Sequence, residues 1–264
     1  MERAVETFMN GEPLAWKVAG SFDWGQGPAL CPSVGYPLAT SFGSDGYRVV
    51  DVGDDVCATL RDGVARILGV PVDELSSYHR QVSDTEHMRI IDRSRELRFA
   101  DFGIDATVIT DLFEGFSGVR LSPVLPALGR DHVQLRINRP GSTDFNPPHR
   151  DAALPAYVNC MNIWLPIAAV DERTSLGIVP GSHQIAESDC WQTARGGATI
   201  DGKLYRVPAI AKLRQGALQM IRAPVRYGQA LIFTPYLIHG LAVNNTRDRT
   251  RMALEFRFEL VQGD

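Results

Sequence analysis

Two textures of apolar spacing divide the chain. Between residues 54 and 68, Val56, Leu60, Val64 and Ile67 recur at helical spacing, which predicts a helix with one apolar face and Asp54 as its cap. Ser83 followed by Glu86 reads as the capping box of a second helix, and residues 104–113 suit a third. From Val133 onward the texture changes to short apolar runs broken by turn residues, which predicts an all-β unit. In its first run Gln134, Arg136 and Asn138 share one face, and in the apolar run that begins at Met161, Asn162 and Trp164 do. Residues 11–47 are rich in Gly, Pro and Ser and read as loops with short strands. The expected organisation is one domain over 1–264. Loops and helices of 1–130 would pack on a β core over 131–260.

Composition narrows the class of protein. The chain has 264 residues, 44% hydrophobic and 22% charged, enough for a sizeable core. A net charge of -4 gives no basic stripe of the kind that marks nucleic-acid binding. No apolar run approaches the length of a membrane helix. The first residues lack the basic and apolar regions of a signal peptide. Cys31, Cys57, Cys160 and Cys190 form no C-x-x-C pair and read as reduced thiols of a cytoplasmic protein.

The chemistry lies in two distant segments, Asn146-Pro-Pro-His149-Arg150-Asp151 and Thr234-Pro-Tyr-Leu-Ile-His239-Gly240. On an extended chain residues i and i+2 point the same way, so His149 and Asp151 can reach one ion, with His239 arriving from elsewhere. Two imidazoles and one carboxylate on one side of a metal, with open positions opposite, is the ligand set of non-heme Fe(II) oxygenases. Arg150 should point away from the metal, to the surface. His183, His132, His79 and His87 have no partners at metal spacing, and His183 reads as part of a turn.

The order of segments adds a resemblance. A Pro140-Gly141 turn precedes the H-x-D, Pro180-Gly181-Ser182-His183 follows it, and His239-Gly240 leads through Asn244-Asn245-Thr246 to Arg249-Thr250-Arg251-Met-Ala-Leu. Over roughly residues 130–260 this resembles the phytanoyl-CoA dioxygenase-like (PhyH) branch of the Fe(II)/2-oxoglutarate oxygenases. The resemblance implies a mainly β fold with flanking helices, built on a double-stranded β-helix (jelly roll, cupin-like) core. It implies Fe(II) on His149, Asp151 and His239, 2-oxoglutarate as co-substrate, and O2. The far carboxylate of 2-oxoglutarate then needs a fixed cation. Arg249 and Arg251 share strand parity, and Arg251 is the better match to the family's entry into its last strand. Gln134 stands where many members carry a glutamine near the co-substrate. Asn162 and Trp164 are expected to border the same pocket. Because Asp151 keeps the carboxylate that a halogenating subset lacks, hydroxylation or another C–H oxidation is implied.

The implied substrate is a small-molecule metabolite of natural-product (secondary) metabolism. A lid over it is expected from residues 11–47 and 184–215, the latter with Trp191, Arg195 and Tyr205, whose polarity favours a small polar metabolite. Two other readings stay open: a jelly-roll metalloenzyme that does without 2-oxoglutarate, and a non-catalytic binding protein on the same scaffold.

Overall fold

Along the strand Arg251–Leu260, side chains alternate between two buried faces. Met252, Leu254, Phe256, Phe258 and Leu260 turn to one face and join an apolar core with the helical segments. Arg251, Ala253, Glu255 and Arg257 take the other face by the period-2 rule. The neighbouring strand Cys160–Ala168 sorts in the same way. Met161, Ile163, Leu165 and Ile167 go to the helical side, while Asn162 and Trp164 go to the other. Burial on both faces explains why these strands read as nearly continuous apolar runs.

The structure, a computed structural model, describes residues 2–26, 38, 42–194 and 197–261. Arg251–Leu260 and Cys160–Ala168 lie side by side, antiparallel, inside a six-stranded sheet with Tyr47–Asp51, Gln229–Phe233 and Leu121–Ser122; Val133–Asn138 also pairs with Arg251–Leu260. A seven-stranded sheet holds Glu2–Met9, Glu12–Ala19, Gln219–Arg222, Gly177–Ile178 and His239–Gly240 among its strands. The two sheets share a core in which Trp164, Leu231, Phe233 and Ala253 meet Ile178 and Ile221. A four-stranded sheet packs through Cys190, Ile210 and Leu213 against Val5, Trp16 and Val18 of the seven-stranded one.

The three helices stand on the outer face of the six-stranded sheet. Asp54–Leu68 buries Leu60 and Val64, with Val56 and Ile67 partly covered, as its spacing predicts. Its cap differs: Gly53 is the N-cap, and Asp54 is the first helical residue. Ser83 caps Asp84–Arg93 by accepting from the backbone N–H of Glu86 at 3.3 Å. Ala106–Ser117 is capped by Asp105. Phe99 and Phe113 pack edge-on against Phe256, with ring centroids 5.0 and 5.8 Å away.

The N-terminal segment departs from expectation. Glu2–Met9 and Glu12–Ala19 form a full hairpin, and Phe8 and Met9 run parallel to Gln219 and Met220. Within residues 11–47, read as loops with short strands, Phe22–Trp24 is such a strand, while Glu12–Ala19 is a longer one of eight residues. Composition misled there because Gly11 and Gly20 only bound the strand. Residues 27–37 and 39–41 of that stretch lie outside the described residues. Among the described residues of 184–215, the expected lid segment, are the short strands Cys190–Thr193, Ala198–Ile200, Lys203–Tyr205 and Ile210–Leu213, and Arg195 lies outside the described residues.

Gly240 lies tightly against the backbone of Pro147 and Pro148. Its φ of +142° disfavours a side chain, and a Cβ there would sit 2.3 Å from the carbonyl oxygen of Pro147. Gly240→Ala is therefore expected to lower the thermal midpoint by about 5 °C or more. Gly129→Ala is the control, since Gly129 is also left-handed at φ +64° but meets nothing within 4 Å. Equal small losses for both in a melting experiment would contradict the close-contact account.

Candidate metal centre

His149 and His239 face each other across an isolated antiparallel bridge. Each backbone N–H donates to the other's carbonyl, at 2.9 and 3.0 Å, and the ring centroids stand 4.4 Å apart. Both rings are almost fully buried. The Nδ1 of His149 lies 2.7 Å from the carbonyl of Pro147, and the Nδ1 of His239 lies 3.0 Å from that of Leu237. A carbonyl can only accept, so each ring donates its Nδ1–H to it, which leaves the Nε2 atoms on the side of Asp151. The Nε2 of His239 has no hydrogen-bond partner. Burial, and next His149 beside it, push the His239 imidazole down to about 4, so it is neutral near pH 7.

Asp151 completes the group. Its Oδ1 lies 3.3 Å from His149 Nε2 and 3.9 Å from His239 Nε2. One ligand atom from each of the three residues falls within 4.8 Å of the others, and all three residues are buried. The H-x-D is not part of a ladder: Asp151 opens the short 3-10 turn Asp151–Ala153. Arg150, however, is extended at φ −116° and ψ 134°, so local alternation still puts His149 and Asp151 on one side.

The other oxygen of Asp151 is fully engaged. Its Oδ2 accepts from Nδ2 of Asn162 at 2.9 Å and from Nε and Nη2 of Arg257, the former at 2.8 Å. Burial alone would raise the Asp151 carboxyl. Arg257, with the two histidines, outweighs burial and holds it well below the usual carboxylate range. Arg257 also donates to Glu255, whose carboxylate takes two bonds from Arg136, at 2.8 and 3.1 Å.

The remaining expected site residues separate. Arg251 is buried at 1% exposure, its guanidinium carbon 5.4 Å from the Trp164 ring centroid. One N–H reaches the carbonyl of Ala242 at 3.3 Å, while Nε and Nη1 have no partner. Burial, and next the neighbouring Arg222, push this guanidinium down to about 9. Gln134 is half-buried beside Glu255 in register and carries an unpartnered Oε1. Arg249 stands apart: it is ion-paired with Asp171 at 2.7 Å and partly exposed.

Arg150 corrects an expectation. It does point away from the ligands, but into the protein, at 2% exposure. It pairs with Glu187 at 2.9 Å and donates to the carbonyls of Ser182 and Ile185. Alternation fixed its direction; only the fold placed the 182–187 turn there to receive it. Arg257, Glu255 and Arg136 were missed as site residues. Their one sequence signal was strand parity, Glu255 and Arg257 with Arg251, and Arg136 with Gln134. His183 is buried in the turn Ser182–Gln184 and is not part of the metal group.

The family model described as phytanoyl-CoA dioxygenase (PhyH) matches residues 42–253, most of the chain. Among solved structures, the non-heme monooxygenase ThoJ in its apo form matches at 15% identity and a TM-score of 0.50, over 84% of this chain and 77% of that one. AviO1 from Streptomyces viridochromogenes Tue57 matches at 16% and 0.50, over 88% and 100%. EctD from S. alaskensis, solved with 2-oxoglutarate and 5-hydroxyectoine, matches at 11% and 0.50, over 92% and 85%. At these identities the likeness shows a shared fold, a mainly β jelly-roll core. No curated protein matches the chain.

The buried imidazole of His239 gives the metal-free protein a pH dependence of definite sign. The unfolded chain takes up this proton near the ordinary value of 6.5, the native state only near 4. The stability tied to His239 is thus complete above 6.5 and is lost as pH falls toward 4, on the order of 3 kcal/mol over the window. Urea unfolding of the metal-free protein between pH 7 and 4 should show a steeper decline for the parent than for His239→Gln. Identical slopes would contradict the assignment.

Proposed function

The chain belongs to the phytanoyl-CoA dioxygenase (PhyH) family of non-heme iron, 2-oxoglutarate-dependent oxygenases, and we propose that it hydroxylates, or otherwise oxidises at a C–H bond, a small-molecule metabolite of secondary metabolism. The observation that carries the reading is the pairing of two groups of side-chain atoms in one buried interior. One is the cluster of His149, Asp151 and His239, in which His239 Nε2 has no partner. The other is the half-unpartnered guanidinium of Arg251.

The donor set suits the metal. Two imidazoles and one carboxylate match Fe(II) in geometry and softness. Each ligand is braced from behind, His149 and His239 by backbone carbonyls and Asp151 by Arg257 and Asn162. An orphaned buried nitrogen such as His239 Nε2 costs free energy unless something occupies the site.

The second group suits a carboxylate. A buried guanidinium with unpartnered N–H groups at Nε and Nη1 has donors left to offer a carboxylate. Arg249 is a poorer candidate, because Asp171 already fills it. Trp164, itself buried, lies against the Arg251 guanidinium. Gln134 is proposed to border the co-substrate, and Asn162 to act through Asp151. A metal-only jelly-roll enzyme gives Arg251 nothing to do.

Bound Fe(II), with 2-oxoglutarate and O2, supplies an oxidant for C–H bonds as 2-oxoglutarate is decarboxylated to succinate. The chain's own part is to ligate, to hold the co-substrate by its far carboxylate, and to exclude water. No side-chain acid or base is required in that scheme.

His149→Ala, Asp151→Ala and His239→Ala are each expected to abolish succinate release from 2-oxoglutarate while leaving the far-UV spectrum unchanged. Full activity in any one would remove that residue from the ligand set. Arg251→Ala should raise the KM for 2-oxoglutarate about 10- to 100-fold, the scale of one lost charge-assisted contact, and Arg249→Ala should change it little. The opposite ranking would move the co-substrate site to Arg249, and no effect from either would favour the metal-only enzyme.

A further inference from the structure

Two arginines on one strand face the interior in opposite states. Arg251 has free N–H groups, and its guanidinium is pushed down by burial. Arg257 is equally buried, yet burial is outweighed by Asp151 and Glu255, which push it up. A line of alternating charge, Arg136–Glu255–Arg257–Asp151, runs from a half-buried guanidinium to the metal ligand. The ring of Tyr157 lies 4.5 Å from the Arg257 guanidinium and covers it.

The line ends on a single atom. Arg257 Nε, Arg257 Nη2 and Asn162 Nδ2 all donate to Oδ2 of Asp151. Oδ1 instead faces the Nε2 atoms of the two histidines. The carboxylate is divided into a held oxygen and a ligating one. Asn162 cannot present its amide the other way, because a carboxylate has nothing to donate to its Oδ1.

We propose that Arg257 is a positioning residue: by holding Oδ2 it restricts Asp151 to one-oxygen coordination and so keeps free the metal position that the co-substrate needs. The proposal rests on the reading of the site as an Fe(II)/2-oxoglutarate centre. A carboxylate released from such a clamp can bind a cation with both oxygens. Three protein donors and the two of 2-oxoglutarate leave one position for O2, and a second Asp151 oxygen would use up a position. The charge of Arg257 also has a sign. It repels a divalent ion, so its removal should not weaken metal binding, whereas a residue that merely oriented the ligand would weaken binding when lost.

The test uses the full chain with Co(II), whose visible band intensity reports coordination number, in the absence of O2. Arg257→Gln is expected to bind Co(II) as tightly as the parent or more so. Its bands with metal alone should weaken toward a higher coordination number. By calorimetry, 2-oxoglutarate should bind the Co(II) protein about tenfold or more weakly, and Arg257→Lys should recover part of that loss. A folded Arg257→Gln that loses Co(II), or one with the parent's spectrum and 2-oxoglutarate affinity, would overturn the proposal. Should Arg257→Gln not fold, Asn162→Ala removes a donor from the same oxygen and leaves the ion line intact. It should shift the metal-alone spectrum in the same direction with a smaller loss of 2-oxoglutarate, and a spectrum identical to the parent's would then be decisive against the proposal. A parent that binds Co(II) but not 2-oxoglutarate would defeat the functional reading instead, while the metal-alone spectra would still decide the role of Arg257.

Discussion

A carboxylate buried between two β-sheets needs compensation, and much of the molecule is arranged to supply it. Asp151 is 3% exposed, and leaving its charge unpaired there would cost several kcal/mol. Arg257 answers that charge, Glu255 answers the surplus on Arg257, and Arg136 answers Glu255 nearer the solvent. The line requires that strand Arg251–Leu260 present alternate polar residues inward. That in turn requires its apolar residues to be covered on the outside, which the helices do. The helical layer and the metal ligand are thus linked through the period-2 geometry of one strand.

The same logic separates what is satisfied from what is vacant. Buried polar atoms in native proteins are nearly always paired. Among the described residues, unpartnered buried atoms include His239 Nε2, Arg251 Nε and Nη1, Asn162 Oδ1 and Gln134 Oε1. These five atoms belong to residues of the inner face of the six-stranded sheet or to the facing ligand. Elsewhere the interior carries arginines that are well supplied. Arg222 reaches the carbonyls of Ser175, Leu241 and Val243, and Arg150 is held by Glu187, which also accepts from Gln192. Outside that face, Arg61 Nε, Arg150 Nε and His183 Nδ1 are also without a partner.

The ligand segments are brought together by backbone as much as by side chains. The His149–His239 bridge is a reciprocal hydrogen-bonded pair, and the contact of Gly240 with Pro147 allows no side chain between them. This gives the His-Gly pair a packing reason: the glycine lets two distant segments approach closely enough for two imidazoles to share an ion.

Local periodicity made much of this legible in the sequence. The helical spacing of Val56, Leu60, Val64 and Ile67, the Ser83 cap and the alternation in the last strand depend only on near neighbours, so they could be read directly. The i, i+2 relation of His149 and Asp151 is equally local and survives without a ladder. The order of turns and ligands around them pointed to His239, though its distance along the chain hid the geometry. Long-range packing decided the rest. Whether an inward arginine is filled or free depends on which residue lies opposite: Asp171 takes Arg249, Asp151 and Glu255 take Arg257, and Arg251 meets only one carbonyl and the Trp164 ring. The burial of Arg150 and the hairpin at Glu12–Ala19 also depend on partners far along the chain, Glu187 in one case and the edge near Gln219 in the other. The sequence by itself determined which residues face one way, because side-chain direction is set by the chain's own repeat; the tertiary structure decided what each of them meets, because charge compensation depends on segments that only folding brings together.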